Sequence, residues 1–180
     1  MKAICQKDSL IECYPLATIT KKRLGKELVN FATLKDEVIG FSDDGSGIQN
    51  SKVIYDGLSK LKDAKSVMIC HCEDVNLVEG GVIRESDYAK LHHYRGINPL
   101  SETLEAIRNM EIAYVLNTRI HLCHISSRYT VWAIKQFKKM GCKVSAEVTP
   151  HNLIFTINDI EDDGRFKMNP PLGDEEDQKV

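Results

Sequence analysis

The chain has 180 residues, 42% of them hydrophobic and 28% charged, with a formal net charge of -2. That is long enough for one domain with its own core, and too acidic for a dedicated nucleic-acid surface, which is normally basic. No apolar stretch approaches the roughly 20 residues that span a bilayer, and Met1 to Asp8 lacks the apolar centre of a secretion signal, so a cytoplasmic protein with no membrane or nucleic-acid partner is expected.

Apolar runs suited to buried parallel strands recur along the chain. The first is Ile11 to Ile19, broken at Pro15. Val38 to Phe41, Val67 to Cys70, Ile120 to Ile125 and Lys143 to Val148 follow. Helical patterns lie between some of them. Lys52 to Ala64 carries Val53, Ile54, Leu58 and Leu61 on one side. Between Glu102 and Leu116, the residues Ala106, Ile107, Met110, Ala113 and Tyr114 form a stripe at helical spacing. Thr130 to Met140 follows Ser126-Ser127, a capping pair, and stops at Gly141, a C′ residue. Strands alternating with helices imply βα units and a parallel sheet. Residues 74–101, with Gly80-Gly81, His92-His93 and Asn98-Pro99, form a long excursion of the kind that builds substrate surfaces in α/β enzymes.

Three segments carry the chemistry: Phe41-Ser42-Asp43-Asp44-Gly45, Cys70-His71-Cys72-Glu73-Asp74 and His121-Leu122-Cys123-His124. Each places a metal-ligating side chain at the C-terminal end of a strand-like run. A carboxylate, Asp44, and two imidazoles, His71 and His124, arriving from three strand ends make a zinc-type hydrolytic site. Taken singly, Asp43-Asp44-Gly45 is an ordinary turn sequence, and either histidine could be a satisfied core residue. Their agreement at strand ends is what points to a site. His92 and His93 read as surface residues. His121 should face away from His124. His151, after Pro150, could orient a site residue or simply bond backbone. The six cysteines contain no C-x-x-C pair and read as small apolar core residues; Cys123 and His124, adjacent on a strand, point apart and make no nucleophilic pair. In Lys167-Met168-Asn169-Pro170-Pro171-Leu172 the prolines stiffen the backbone around Asn169, whose carboxamide suits an amide or ureide.

These segments, with Ala146-Glu147-Val148-Thr149-Pro150-His151, resemble the bacterial class I dihydroorotases of the amidohydrolase superfamily, in the family's order and across nearly the whole chain. The resemblance implies a (β/α)8 barrel and reversible, metal-dependent cyclisation of N-carbamoyl-L-aspartate to L-dihydroorotate in pyrimidine synthesis. It implies that Asp44 bridges two zinc ions, that His71 and His124 bind one of them, and that Asn169 contacts substrate. Asn152 departs from the pattern, where relatives often carry a second His. The family's His-x-His with its following Arg, and its Asp-His-Ala-Pro-His motif with the general acid/base Asp, do not occur in these 180 residues. The chain is therefore expected to be a partial amidohydrolase domain over residues 1–180, an incomplete TIM-type barrel covering roughly strands three to seven. No catalytic acid/base is expected within it, and one zinc site of the possible two retains its ligands.

Taken alone, such a chain should show little or no dihydroorotase activity, and its uncovered strand edges should make it poorly soluble or oligomeric. A homo-oligomer or an aspartate transcarbamoylase partner is the expectation for the complete protein. The alternatives are a catalytically dead dihydroorotase-like regulatory partner and another cyclic amidohydrolase of the hydantoinase or allantoinase type. Asp44 in place of a lysine, with the Asn169-Pro-Pro segment, weighs against the latter.

Overall fold

The computed structural model describes Ile4 and residues 7–180; Cys5 and most of the N-terminal segment read above lie outside the described residues. Five parallel strands form one sheet: β1 (Leu16–Ala17), β2 (Gly40–Ser42), β3 (Met68–Cys70), β6 (Arg119–Leu122) and β7 (Lys143–Ala146), in the order β1-β2-β3-β6-β7. Phe41 pairs with Met68, Cys70 with Leu122 and Leu122 with Ala146, so the three central strands end nearly level.

Helices α1 (Ser51–Asp63), α3 (Leu100–Val115) and α4 (Arg128–Lys139) cover one face of this sheet. Their apolar sides meet Phe41, Met68, Ile120 and Leu122 in a core that includes Leu58, Leu61, Ala106, Met110, Ala113 and Ala133. The predicted stripe on α3 is buried at Ala106, Met110 and Ala113, while Tyr114 is turned out to solvent. Asn50 caps α1, its side chain accepting from Lys52 N at 2.9 Å. Ser127 caps α4, and Gly141 follows with φ +91°, the left-handed C′ geometry that glycine adopts without strain. Ser126 has a different partner: its amide and hydroxyl both donate to the buried Glu102 carboxylate of α3, at 2.9 and 2.6 Å.

The first strand is much shorter than its apolar run. Ile11 and Tyr14 are exposed and only Leu16–Ala17 pairs, because Pro15 offers no N–H and β1 lies at the sheet edge. The excursion after β3 is ordered rather than loose. It contains a separate two-stranded parallel sheet, β4 (Ile83–Arg84) with β5 (Gly96–Ile97), and the short helix α2 (Asp87–Leu91). His92 lies there, exposed and stacked on Tyr88 at 4.1 Å, and His93 is exposed beside it.

Two further short helices, α5 (Pro150–Ile154) and α6 (Glu175–Gln178), follow β7. A cluster of charges ties α6 back to the body. Arg84 donates to Asp177 at 2.8 Å and to the Ser126 carbonyl at 3.2 Å, the Arg128 amide donates to Asp177 at 2.8 Å, and the Arg128 guanidinium reaches Asp174 at 2.7 Å. Burial opposes ionisation of Asp174, but the Arg128 guanidinium prevails and holds its carboxyl below the usual range. Among the described cysteines, Cys70, Cys72 and Cys142 are core residues as expected; Cys13 is exposed and Cys123 only partly buried, so the core reading fails for those two. Among the described residues, no helix is long and apolar enough to cross a membrane.

Candidate metal centre

Adjacent carboxylates after β2 take opposite roles. Asp43 turns inward, where it is 4% exposed and accepts from Ile19 N (2.8 Å), Thr20 N (3.1 Å) and the Thr20 hydroxyl, fastening the end of β1 to the end of β2. The turn closes through Ser46 N to Asp43 O at 2.9 Å, with Gly45 at φ +72°. That turn presents Asp44 outward above the sheet, its side chain 66% exposed.

His71 follows β3 directly and is buried at 6% exposure. His124 lies two residues past β6, with φ +39°. The strand has ended by then, so the residue is aimed by this left-handed backbone rather than by strand alternation. Its Nε2 stands 3.1 Å from His71 Nδ1 and 3.5 Å from Asp44 Oδ1, and His71 Nδ1 is 3.9 Å from the same oxygen. The three side chains expected from the sequence thus converge from three strand ends.

The donor set fits a small divalent cation. Ligand atoms about 2.0–2.1 Å from zinc at tetrahedral angles are about 3.3–3.4 Å apart; the observed separations of 3.1, 3.5 and 3.9 Å bracket that value. Two imidazole nitrogens that close, both on the side of one carboxylate oxygen, offer a donor set that could hold a cation.

Asn169 reaches the same place from the far end of the chain, donating through Nδ2 to Glu73 Oε2. Glu73 is the residue that sequence reasoning left inside a motif without a role. Its Oε2 also lies 3.2 Å from His71 Nε2. The His71 hydrogen bond lowers the Glu73 carboxyl below its ordinary value, against a smaller opposing effect of burial and with added help from Asn169. Its position two residues after His71 was the available signal. His151 does not join this group: its Nε2 pairs with Thr149 Oγ1 at 2.9 Å. Asn152, the departure from the family pattern, is buried below with its Nδ2 on the same hydroxyl.

A second ligand-like group, His121, Cys123 and Glu147, sits on the sheet face opposite the helices. There His121 Nδ1 is already engaged by Ser145 Oγ at 2.8 Å and its Nε2 by Glu147 at 3.3 Å. Burial, reinforced by the Glu147 charge, pushes the Cys123 thiol up to about 12. This is a satisfied hydrogen-bonded cluster with a protonated thiol. Cys123 thus groups with His121 and Glu147 and apart from His124, as expected, but both residues lie past the end of β6, so the left-handed backbone at His124 rather than strand alternation accounts for it.

Comparison with known proteins bears on the family and the fold. A family model described as dihydro-orotase-like matches residues 1–130. The dihydroorotase of Fusobacterium nucleatum is 38% identical over 178 residues, covering 98% of this chain and 42% of that protein. That of Macrococcus caseolyticus is 37% identical over 172 residues, covering 94% and 40%. The chain thus spans about two-fifths of the length of these relatives. Among solved structures, a D-hydantoinase matches with TM-score 0.71 at 18% identity, over 92% of this chain and 38% of that one. The L-hydantoinase (dihydropyrimidinase) of Arthrobacter aurescens matches with TM-score 0.69 at 18% identity, over 83% and 36%. At that identity the likeness speaks for the fold alone, and with five parallel strands and helices on one face the fold is part of a (β/α)8-type barrel. With the family model covering well over half of its residues, the chain belongs to the dihydro-orotase-like family.

Proposed function

We propose that this chain is the central portion of a dihydroorotase barrel and supplies one metal site of that enzyme, for the reversible ring closure of N-carbamoyl-L-aspartate to L-dihydroorotate. The observation that carries the reading is the convergence of Asp44, His71 and His124 from three strand ends, with donor atoms 3.1–3.9 Å apart. Zinc is the cation of choice for two imidazoles and a carboxylate; when bound it supplies Lewis acidity at the ring carbonyl and lowers the pKa of water there.

The chain's own residues do the rest. His71 and His124 offer nitrogen lone pairs on one side of Asp44. Asp44 is exposed enough for its carboxylate to serve a second cation held by residues outside this chain. Asn169, at the mouth of the site and tethered to Glu73, carries a carboxamide that both donates and accepts, which matches a ureide. The family resemblance implies that the carboxylate-binding arginine comes from a barrel unit before these residues and the general acid/base from one after them.

Two experiments test this. Equilibrium dialysis of the purified protein against Zn²⁺ should show stoichiometric binding that Asp44→Ala, His71→Ala and His124→Ala each abolish; binding that is absent, or indifferent to all three changes, refutes the site. Sequencing the DNA around the coding region separates an enzyme from a non-catalytic relative. In-frame His-x-His-x-Arg upstream and Asp-His-Ala-Pro-His downstream support the enzyme, and intact start and stop signals without them refute it.

A further inference from the structure

The metal ligand His71 is itself held, and by a group that also touches Asn169. His71 Nε2 faces Glu73 Oε2 at 3.2 Å, while His71 Nδ1 faces His124 Nε2 at 3.1 Å. A neutral imidazole has one N–H and one lone pair, and an ionised carboxylate can only accept. The nitrogen facing Glu73 must therefore be the donor, which leaves the lone pair on Nδ1, toward His124 and Asp44.

Glu73 is well placed to impose this because its own backbone is clamped. Its amide donates to Glu105 Oε2 at 3.0 Å, and its carbonyl accepts from Gln49 Nε2 at 2.9 Å. Glu105 is 2% exposed and is held in turn by Arg108 at 3.0 Å. The Glu73 side chain is 19% exposed, shielded enough for its hydrogen bonds to persist.

We propose that Glu73 is a positioning residue that fixes the proton of His71 on Nε2, aims the Nδ1 lone pair into the metal site, and through the same Oε2 ties Asn169 to that ligand. This rests on the reading of His71 as a metal ligand. Carboxylates behind metal-bound imidazoles are worth about 10- to 100-fold in metal affinity.

The test reads the proton directly. Long-range ¹H–¹⁵N spectra of His71 in the metal-free protein at mildly alkaline pH should show a single tautomer protonated on Nε2. Glu73→Ala should give a tautomer mixture, Glu73→Gln, which keeps an acceptor oxygen, should restore the single form, and Asn169→Ala should leave it unchanged. Zn²⁺ affinity should fall about 10- to 100-fold in Glu73→Ala and recover in part in Glu73→Gln. Glu73→Met, which keeps the length without the acceptor, replaces the alanine variant if that one does not fold. A His71 that remains a single Nε2-protonated tautomer in Glu73→Ala or Glu73→Met overturns the proposal. A tautomer that depends on Glu73 in a protein that holds no zinc upholds the fixing of the His71 proton by Glu73 and overturns its metal-site part together with the proposed function.

Discussion

Replacing Asp43 with alanine should destabilise the protein severely, while the same change one residue later should not. Asp43 is 4% exposed, and its carboxylate receives two backbone amides, from Ile19 at 2.8 Å and Thr20 at 3.1 Å, plus the Thr20 hydroxyl. Ile19 and Thr20 are themselves 2% and 0% exposed, so water cannot replace the lost acceptor. The hydroxyl has a second partner, accepting from Gly25 N at 2.9 Å, and suffers less. Two orphaned amides at about 1–3 kcal/mol each give about 2–6 kcal/mol, before any contribution of the weakened hydroxyl. For a chain of this size that lowers Tm by on the order of 10 °C. Asp44→Ala removes an exposed carboxylate and should stay within about 0.5 kcal/mol of wild type in the absence of metal. Urea unfolding followed by far-ultraviolet circular dichroism, with hydrogen exchange at Ile19 and Thr20, measures both. An Asp43→Ala variant within about 1 kcal/mol of wild type, or an Asp44→Ala variant equally damaged, would refute the division of labour between the two residues.

Other outcomes follow from the same structure. Leu122→Ala, at a fully buried site on β6 under α3 and α4, should cost about 2–5 kcal/mol in urea unfolding. Asn50→Ala should cost about 1 kcal/mol by removing the α1 cap, seen as faster amide exchange in its first turn. Burial raises the Glu105 carboxyl above its ordinary 4.5, only partly opposed by the Arg108 charge. The folded state therefore binds this proton more tightly than the unfolded chain. The resulting stabilisation is complete below the ordinary value and lost as pH rises through the raised one. The unfolding free energy of wild type relative to Glu105→Gln should accordingly decline with rising pH across that window, and a difference independent of pH would contradict it.

The strand–helix alternation was legible because the central strands are buried on the helix side and the helices carry a one-sided apolar stripe. The convergence of Asp44, His71 and His124 was legible because parallel strands place their C-terminal ends together, so three such side chains at three strand ends already imply proximity. The length of β1 was not, since an apolar run does not report whether a neighbour pairs with it. The role of Glu73 depends on which ring nitrogen of His71 it faces, and that follows from the backbone clamp by Gln49 and Glu105, two residues far away in sequence. The split between Asp43 and Asp44 was equally hidden: one turn sends neighbouring carboxylates in opposite directions.

The charge cluster around Asp177 bears on how the site is held together. His71 and His124 are 53 residues apart in sequence, whereas Arg84 and Asp177 are 93 apart and Glu73 and Asn169 are 96 apart. The two imidazoles are brought together by adjacent strands β3 and β6 within one sheet. Asn169 reaches Glu73 across a loop about as long as the one that Arg84 closes with Asp177, so the two long-range contacts hold the same stretch of chain in place. Loop closure grows slowly with length, by about 0.6 kcal/mol per doubling, so these long loops cost little more entropy than the shorter one between the imidazoles. The two imidazoles therefore meet through the sheet alone, whereas the contact of Asn169 with Glu73 also needs the segment between β7 and α6 to be in place.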